Sequence, residues 1–109
     1  MRYLQRAKWR YLLVEVVSDR NVSGEDLRLA LEGVGKSFFG SVGLLQVSPK
    51  ILRYDPIRGE AILKCRVESL DKVRSTVALL TQVSDQPAAA FVVRSSGTIR
   101  ALTKKASHR

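Results

Sequence analysis

Arg10-Tyr11-Leu12-Leu13-Val14-Glu15-Val16-Val17-Ser18 is the stretch on which the fold turns. It is rich in β-branched and apolar residues. Leu12, Val14 and Val16 point to one face, and Tyr11, Leu13, Glu15 and Val17 to the other, which reads as strand one. Working outward toward the C-terminus, Asp19-Arg20-Asn21 has turn chemistry. Ser23 can then cap a helix, with Asp26 three residues on and Glu25 near the positive end of the helix dipole. Leu27, Leu31, Val34 and Phe38 recur at spacings of four, three and four, which marks the buried stripe of that helix. Gly40 to Gly43 is expected to end it.

Leu44 to Tyr54 reads as a second strand. Pro49 cannot donate to a ladder, so this strand is placed at a sheet edge or at a bulge. Asp55-Pro56-Ile57-Arg58-Gly59 is a turn, and Glu60 to Val67 closes a hairpin as the third strand, with Ala61, Leu63, Cys65 and Val67 on one side and Lys64 and Arg66 on the other. Ser69 can cap a second helix whose stripe is Leu70, Val73, Val77 and Leu80. Gln86-Pro87 breaks the chain, and Ala88 to Ser95 is the fourth strand. The order strand, helix, strand, strand, helix, strand is the α+β, ferredoxin-like (RRM-like) βαββαβ sandwich. It predicts a four-stranded antiparallel sheet with both helices on one face. Leu13 and Val17, with apolar residues at both parities of the fourth strand, imply that a protein partner or the C-terminal segment covers the second face. Thr98 can cap a short terminal helix with Ile99, Leu102 and Ala106 inward, and Lys105 to Arg109 reads as a basic tail.

A chain of 109 residues is one domain's worth, with ordinary globular composition. Its charge of +9 is unevenly placed. Arg2, Arg6, Lys8 and Arg10 open the chain without an acid, and Arg94, Arg100, Lys104, Lys105 and Arg109 close it without one. Tyr11 to Val93 holds 10 bases and all 10 acids, so the body is neutral. Excess charge confined to the two ends reads as a docking surface for a polyanion, nucleic acid above all. In ferredoxin order the start of strand one lies beside the end of strand four, so the two basic ends should meet.

Cys65 is the only cysteine and His108 the only histidine, which excludes disulfide frameworks and Cys/His zinc patterns and favours an intracellular setting. No apolar run approaches the roughly 18 residues of a membrane span, and Glu15 interrupts the one stretch that resembles a signal peptide. Gly35-Lys36-Ser37 resembles the end of a phosphate-binding loop, but Ala30 stands where that loop needs glycine. Cys65 sits at a core parity and reads as a small buried hydrophobe. Arg20, in the loop after strand one, suggests a phosphatase-like rival. Asn21 is the only asparagine, however, so the supporting residue expected on the second strand is missing, and the loop lacks the glycines that bring amides onto an anion. No acid-base pair or triad emerges from the spacing. Strand three has no aromatic residue, so base stacking in the RRM manner is not expected there. Tyr3, Trp9 and Tyr11 are interleaved with Arg6, Lys8 and Arg10 and can stack on bases.

Lys8 to Val16, Phe39-Gly40 with Gly43-Leu44, Tyr54-Asp55 with Gly59, and Ser96-Gly97-Thr98-Ile99-Arg100 together resemble the ribonuclease P protein component 2 family, the archaeal counterpart of the eukaryotic Pop-five subunit. The resemblance spans about Lys8 to Lys105. It implies a single domain over 1–109, with basic termini at about 1–10 and 96–109, working in the cytoplasm. It also implies a non-catalytic subunit of the ribonucleoprotein that removes 5′ leaders from precursor tRNA. Its partners would be ribonuclease P RNA, through the catalytic domain, and protein component 3 with other protein subunits. The active site and its magnesium ions would belong to the RNA, with no catalytic residue, metal site or cofactor in this chain. On this reading Arg6, Lys8, Arg10, Arg94, Arg100, Lys104 and Lys105 contact RNA phosphates, and Ser96, Gly97 and Thr98 shape the approach. A small-molecule-binding regulatory domain of the same topology is the alternative.

Overall fold

The Arg10–Ser18 stretch lies at the centre of the sheet. The computed structural model describes residues 8–47 and 49–106, with side chains described for 8–40 and 49–102. Strand β1 (Trp9–Ser18) pairs antiparallel with β3 (Glu60–Arg66) on one side and β5 (Gln86–Ser96) on the other. Strand β2 (Lys50–Asp55) flanks β3, and the short β4 (Gln82–Val83) flanks β5, giving the order β2-β3-β1-β5-β4. Helices α1 (Gly24–Val47) and α2 (Leu70–Ala78) follow β1 and β3, and α3 (Ile99–Ala106) follows β5.

The expected four-stranded layout is therefore corrected, among the described residues, to a five-stranded sheet, with the short terminal helix expected after Thr98 present as α3. The extra strand arises at Ser84 and Asp85, both in the left-handed region with φ of 50 and 66, which folds Gln82–Val83 back onto Gln86–Pro87. A two-residue turn of this hand matches the twist of a hairpin. The break expected at Gln86-Pro87 thus falls two residues earlier, and those residues open β5.

Two further expectations change in α1. Ser23 caps the helix as expected, its Oγ accepting the Asp26 N–H at 3.1 Å. Gly40, with φ 72 and ψ 174, interrupts the helix where a stop was expected, but helical backbone resumes beyond it to Val47, past Leu44 where the second strand was expected to begin. The second strand is correspondingly short and begins at Lys50, beyond Pro49. It is an edge strand with a register shift between Ile51 and Arg53, so both consequences anticipated from a proline are present nearby. The buried row of α1 runs Leu27, Leu31, Gly35, then the part-buried Phe39, while Phe38 is exposed. Leu27, Leu31 and Val34 of the expected stripe therefore pack against the core, with Ala30 beside them, and only Phe38 departs from it, its place taken by Phe39.

One core lies between the sheet and these two helices. Leu12, Val14 and Val16 meet Ala61, Leu63 and Cys65 of β3 and Ala88 and Ala90 of β5, beneath Leu27, Leu31, Val73 and Val77. Tyr54 ties β2 to this layer, its hydroxyl donating to the Val22 carbonyl at 2.5 Å. The β2–β3 turn is built on Asp55, whose Oδ1 accepts the N–H groups of Ile57 and Arg58, and it brings the Gly59 carbonyl to the Val16 N–H at 2.7 Å. The second face is covered in part by the C-terminal segment, one of the two covers expected. Helix α3 touches β1 and β5, and its fully buried Leu102 shares a groove of about 620 Å³ with Leu13 and Ile62. Thr98 caps α3 by accepting the Ala101 N–H at 3.1 Å.

Candidate nucleic-acid interface

Strand register decides where the charges of the neutral body go. On the face opposite α1 and α2, cross-strand partners form rows running from β2 through β3 to β1 and β5. Asp55, Glu60 and Glu15 share one row. Arg53, Ile62, Leu13 and Arg94 form the next, and Lys50, Lys64, Tyr11 and Ser96 the one after. Arg66 opposite Trp9 completes the series. The body is neutral in sum, but the strand rows of this face are polar in arrangement, with carboxylates toward one end of the sheet and cations toward the other.

The cationic end is also where the basic chain segments arrive. Lys8 leads into β1, and its carbonyl accepts the Val67 N–H at 2.9 Å, which ties it to the exit of β3. Ser96 lies opposite Tyr11, and a Cβ built at Gly97 would stand 3.6 Å from Arg10 Nη1. Among the residues expected to contact RNA, Lys8, Arg10, Arg94, Ser96, Gly97, Thr98 and Arg100 thus gather at one end, as the ordering of the strands anticipated. Arg94 donates from Nη1 to the Leu102 carbonyl at 3.2 Å, so it also anchors α3. The Ser96 Oγ accepts the Thr98 N–H at 3.2 Å and shapes the bend into the helix. Arg6 lies outside the described residues. Lys104 and Lys105 lie on α3, and their side chains are outside the described set.

Four cations at this end escaped the sequence reading as site residues: Lys50, Lys64, Arg66 and Arg74. The parity of Lys64 and Arg66, opposite to the core residues of β3, was a usable signal. Only register could show that they flank Trp9. Lys64 Nζ stands 4.5 Å and Arg66 Cζ 5.5 Å from the Trp9 ring centroid, a cation–aromatic cluster on the open sheet face. Trp9 keeps 38% of its surface exposed, so a π-face is offered at the sheet end although strand three itself has no aromatic residue.

Groups that suggested other chemistry have structural roles here. Cys65 is buried and its thiol is pushed up by that burial, against the opposing pull of Arg10 and Arg74, which is the reverse of an activated nucleophile. Gly35-Lys36-Ser37 lies inside α1, where no loop can wrap a phosphate. Ser18 donates to the Arg20 carbonyl, closing the turn after β1. Among the described residues no group of three or more His, Cys, Asp or Glu side chains could hold a metal ion, and no helix is long and apolar enough to cross a membrane.

Comparison with known proteins bears on this surface. Residues 10–107 match the model of the Rpp14/Pop5 family. Ribonuclease P protein component 2 of Methanosarcina barkeri is 31% identical over 100 residues, which cover 92% of this chain and 73% of that protein. The protein of the same name from Pyrococcus abyssi is 26% identical over 100 residues, covering 92% of this chain and 85% of its own. A chain in the cryo-EM structure of yeast Ribonuclease MRP has a similar fold, with a TM-score of 0.72 at 15% identity over 95% of this chain and 92% of that one.

Proposed function

The chain belongs to the Rpp14/Pop5 family, and from that membership we propose that it is a non-catalytic, RNA-binding subunit of ribonuclease P, supporting the catalytic RNA in removing the 5′ leader of precursor tRNA. The observation that carries the RNA-binding part is the gathering of Lys8, Arg10, Lys64, Arg66, Arg94 and Arg100 at one end of a sheet whose carboxylates lie toward the other. Such an end neutralises phosphates and releases counterions, which lets a folded RNA compact with fewer metal ions. It positions the protein by phosphate contact and carries little base readout. The reaction centre and its magnesium ions are assigned to the RNA, with precursor tRNA as the substrate of the assembled particle and the cytoplasm as its place of work. The regulatory-domain alternative finds no support in the family match.

Ribonuclease P protein component 3 is the proposed protein partner. Val17 and Phe91 are 56% and 54% exposed on the second face, toward the carboxylate end of the sheet, and Val93, 44% exposed, follows along β5. That patch, beyond the cover supplied by α3, is the apolar surface proposed to receive it. RNA and protein then use different regions of one small domain.

The test is binding to ribonuclease P RNA as salt is raised. The logarithm of the binding constant should fall steeply and linearly with the logarithm of salt concentration. Replacing Arg100 and Lys104 by Gln should flatten the slope by about one for each phosphate no longer neutralised. An unchanged slope overturns the site assignment.

A further inference from the structure

We propose that Arg10 and Arg74 together hold one RNA backbone phosphate on the helix side of the sheet's basic end; the proposal rests on the RNA-binding reading above and adds a residue and a face to it. Arg10 has the inward parity of β1, opposite Cys65, and its guanidinium reaches to Gly97, where a Cβ would stand 3.6 Å from Nη1. Arg74 comes from α2, and its Nη2 donates to Ser95 Oγ at 2.8 Å. Two guanidinium groups from different elements therefore flank the segment Ser95-Ser96-Gly97.

Counter-ions separate this pair from three other arginines. Arg28 lies between Glu25 and Glu32, Arg58 stands 3.7 Å from Glu60, and Arg66 stands 3.8 Å from Glu68. Among the described residues neither Arg10 nor Arg74 forms an ion pair with a carboxylate; Arg10 donates to the Trp9 carbonyl at 3.0 Å. Like charges flanking one segment repel, and an anion received between them turns the repulsion into attraction. A phosphodiester suits the position because its two non-bridging oxygens can each take one guanidinium fork. Gly97 leaves the approach beside Arg10 without a side chain. Because Lys64, Arg66 and Arg94 serve the opposite face, a phosphate held here means that the RNA strand passes over the end of the sheet and contacts both faces.

The experiment uses the full chain and ribonuclease P RNA, with Arg74→Gln, Arg10→Gln, the double variant, and Lys72→Gln as a control on the same helix. Arg74 is exposed, so Arg74→Gln should melt close to the parent and carries the test even where Arg10→Gln folds poorly. Each arginine variant is expected to bind about tenfold more weakly, the scale of one charge-assisted hydrogen bond, with the salt slope reduced by about one. The double variant should bind no more than about twofold more weakly than the weaker single, since both arginines serve the same phosphate. Arg74→Gln binding like Lys72→Gln, or single effects that multiply in the double variant, overturns the proposal. Unchanged RNA binding with weakened capture of component 3 also overturns it, by assigning the pair to a carboxylate. A parent protein without a steep salt dependence brings down the RNA-binding reading itself, a result distinguishable from all of these.

Discussion

A methyl group at Gly59 would stand 2.5 Å from the carbonyl oxygen of Val16, on a backbone with φ of +67. Left-handed strain and a clash with backbone act together there, at the hydrogen bond that ties the β2–β3 turn to β1. Gly59→Ala is expected to cost on the order of 3 kcal/mol or to prevent folding. Gly40 has a similar φ of +72, with ψ of 174 and nothing within 4 Å of a built Cβ, so Gly40→Ala should cost only the conformational strain, about 1–3 kcal/mol. Paired denaturant melts separate the two contributions, and equal destabilisation by both contradicts the assignment of the clash. At Cys65 burial raises the thiol in the folded state. The native protein then holds a proton that the unfolded chain releases, so stability is intact below the ordinary thiol range near about pH 8.5 and falls as pH rises through the folded value. Cys65→Ala should flatten the alkaline part of the stability profile, measured by urea unfolding from about pH 7 to about pH 10.

Helix α3 shows best how an element couples the fold to the surface. Its buried Leu102 sits over Leu13 and Ile62, Arg94 binds its backbone, and Thr98 caps it. Leu102→Ala is expected to cost about 2–4 kcal/mol or to release the helix, and Thr98→Ala about 1 kcal/mol. Hydrogen exchange in residues 99–106 reads both, and protection unaffected by Leu102→Ala contradicts the docking. This element was legible in the sequence because a threonine cap and an apolar residue three positions into the helix are local signals. So were the Ser23 cap of α1 and the Asp55 turn. What was not legible depends on geometry beyond the local pattern. Glycines near residue 40 predict a stop, but whether helical backbone resumes depends on where the chain must go next. Ser84-Asp85 makes a hairpin only because β5 is there to receive two more residues. Phe39 and not Phe38 packs against the core directly before the non-helical Gly40, a break in the helix that periodicity within one helix does not contain.

For the molecule as a whole, charge is the quantity only partly readable along the chain. The acid-free ends and the neutral middle can be counted there, and their meeting follows from strand order alone. The polarity of the middle cannot be counted, because Asp55, Glu60 and Glu15 become one row, and Arg66 and Trp9 another, only through register. Arg74 belongs to the site through a hydrogen bond across the fold to Ser95, which no spacing announces. Val17, Phe91 and Val93 are exposed apolar residues of the same domain, and the proposed RNA and protein contacts use different parts of it. The most direct test of this account is cleavage of precursor tRNA by a particle reconstituted from ribonuclease P RNA and its proteins at low magnesium, with and without this chain. Omission should lower the cleavage rate, with recovery as magnesium is raised. Equal cleavage with and without the chain at low magnesium would contradict it.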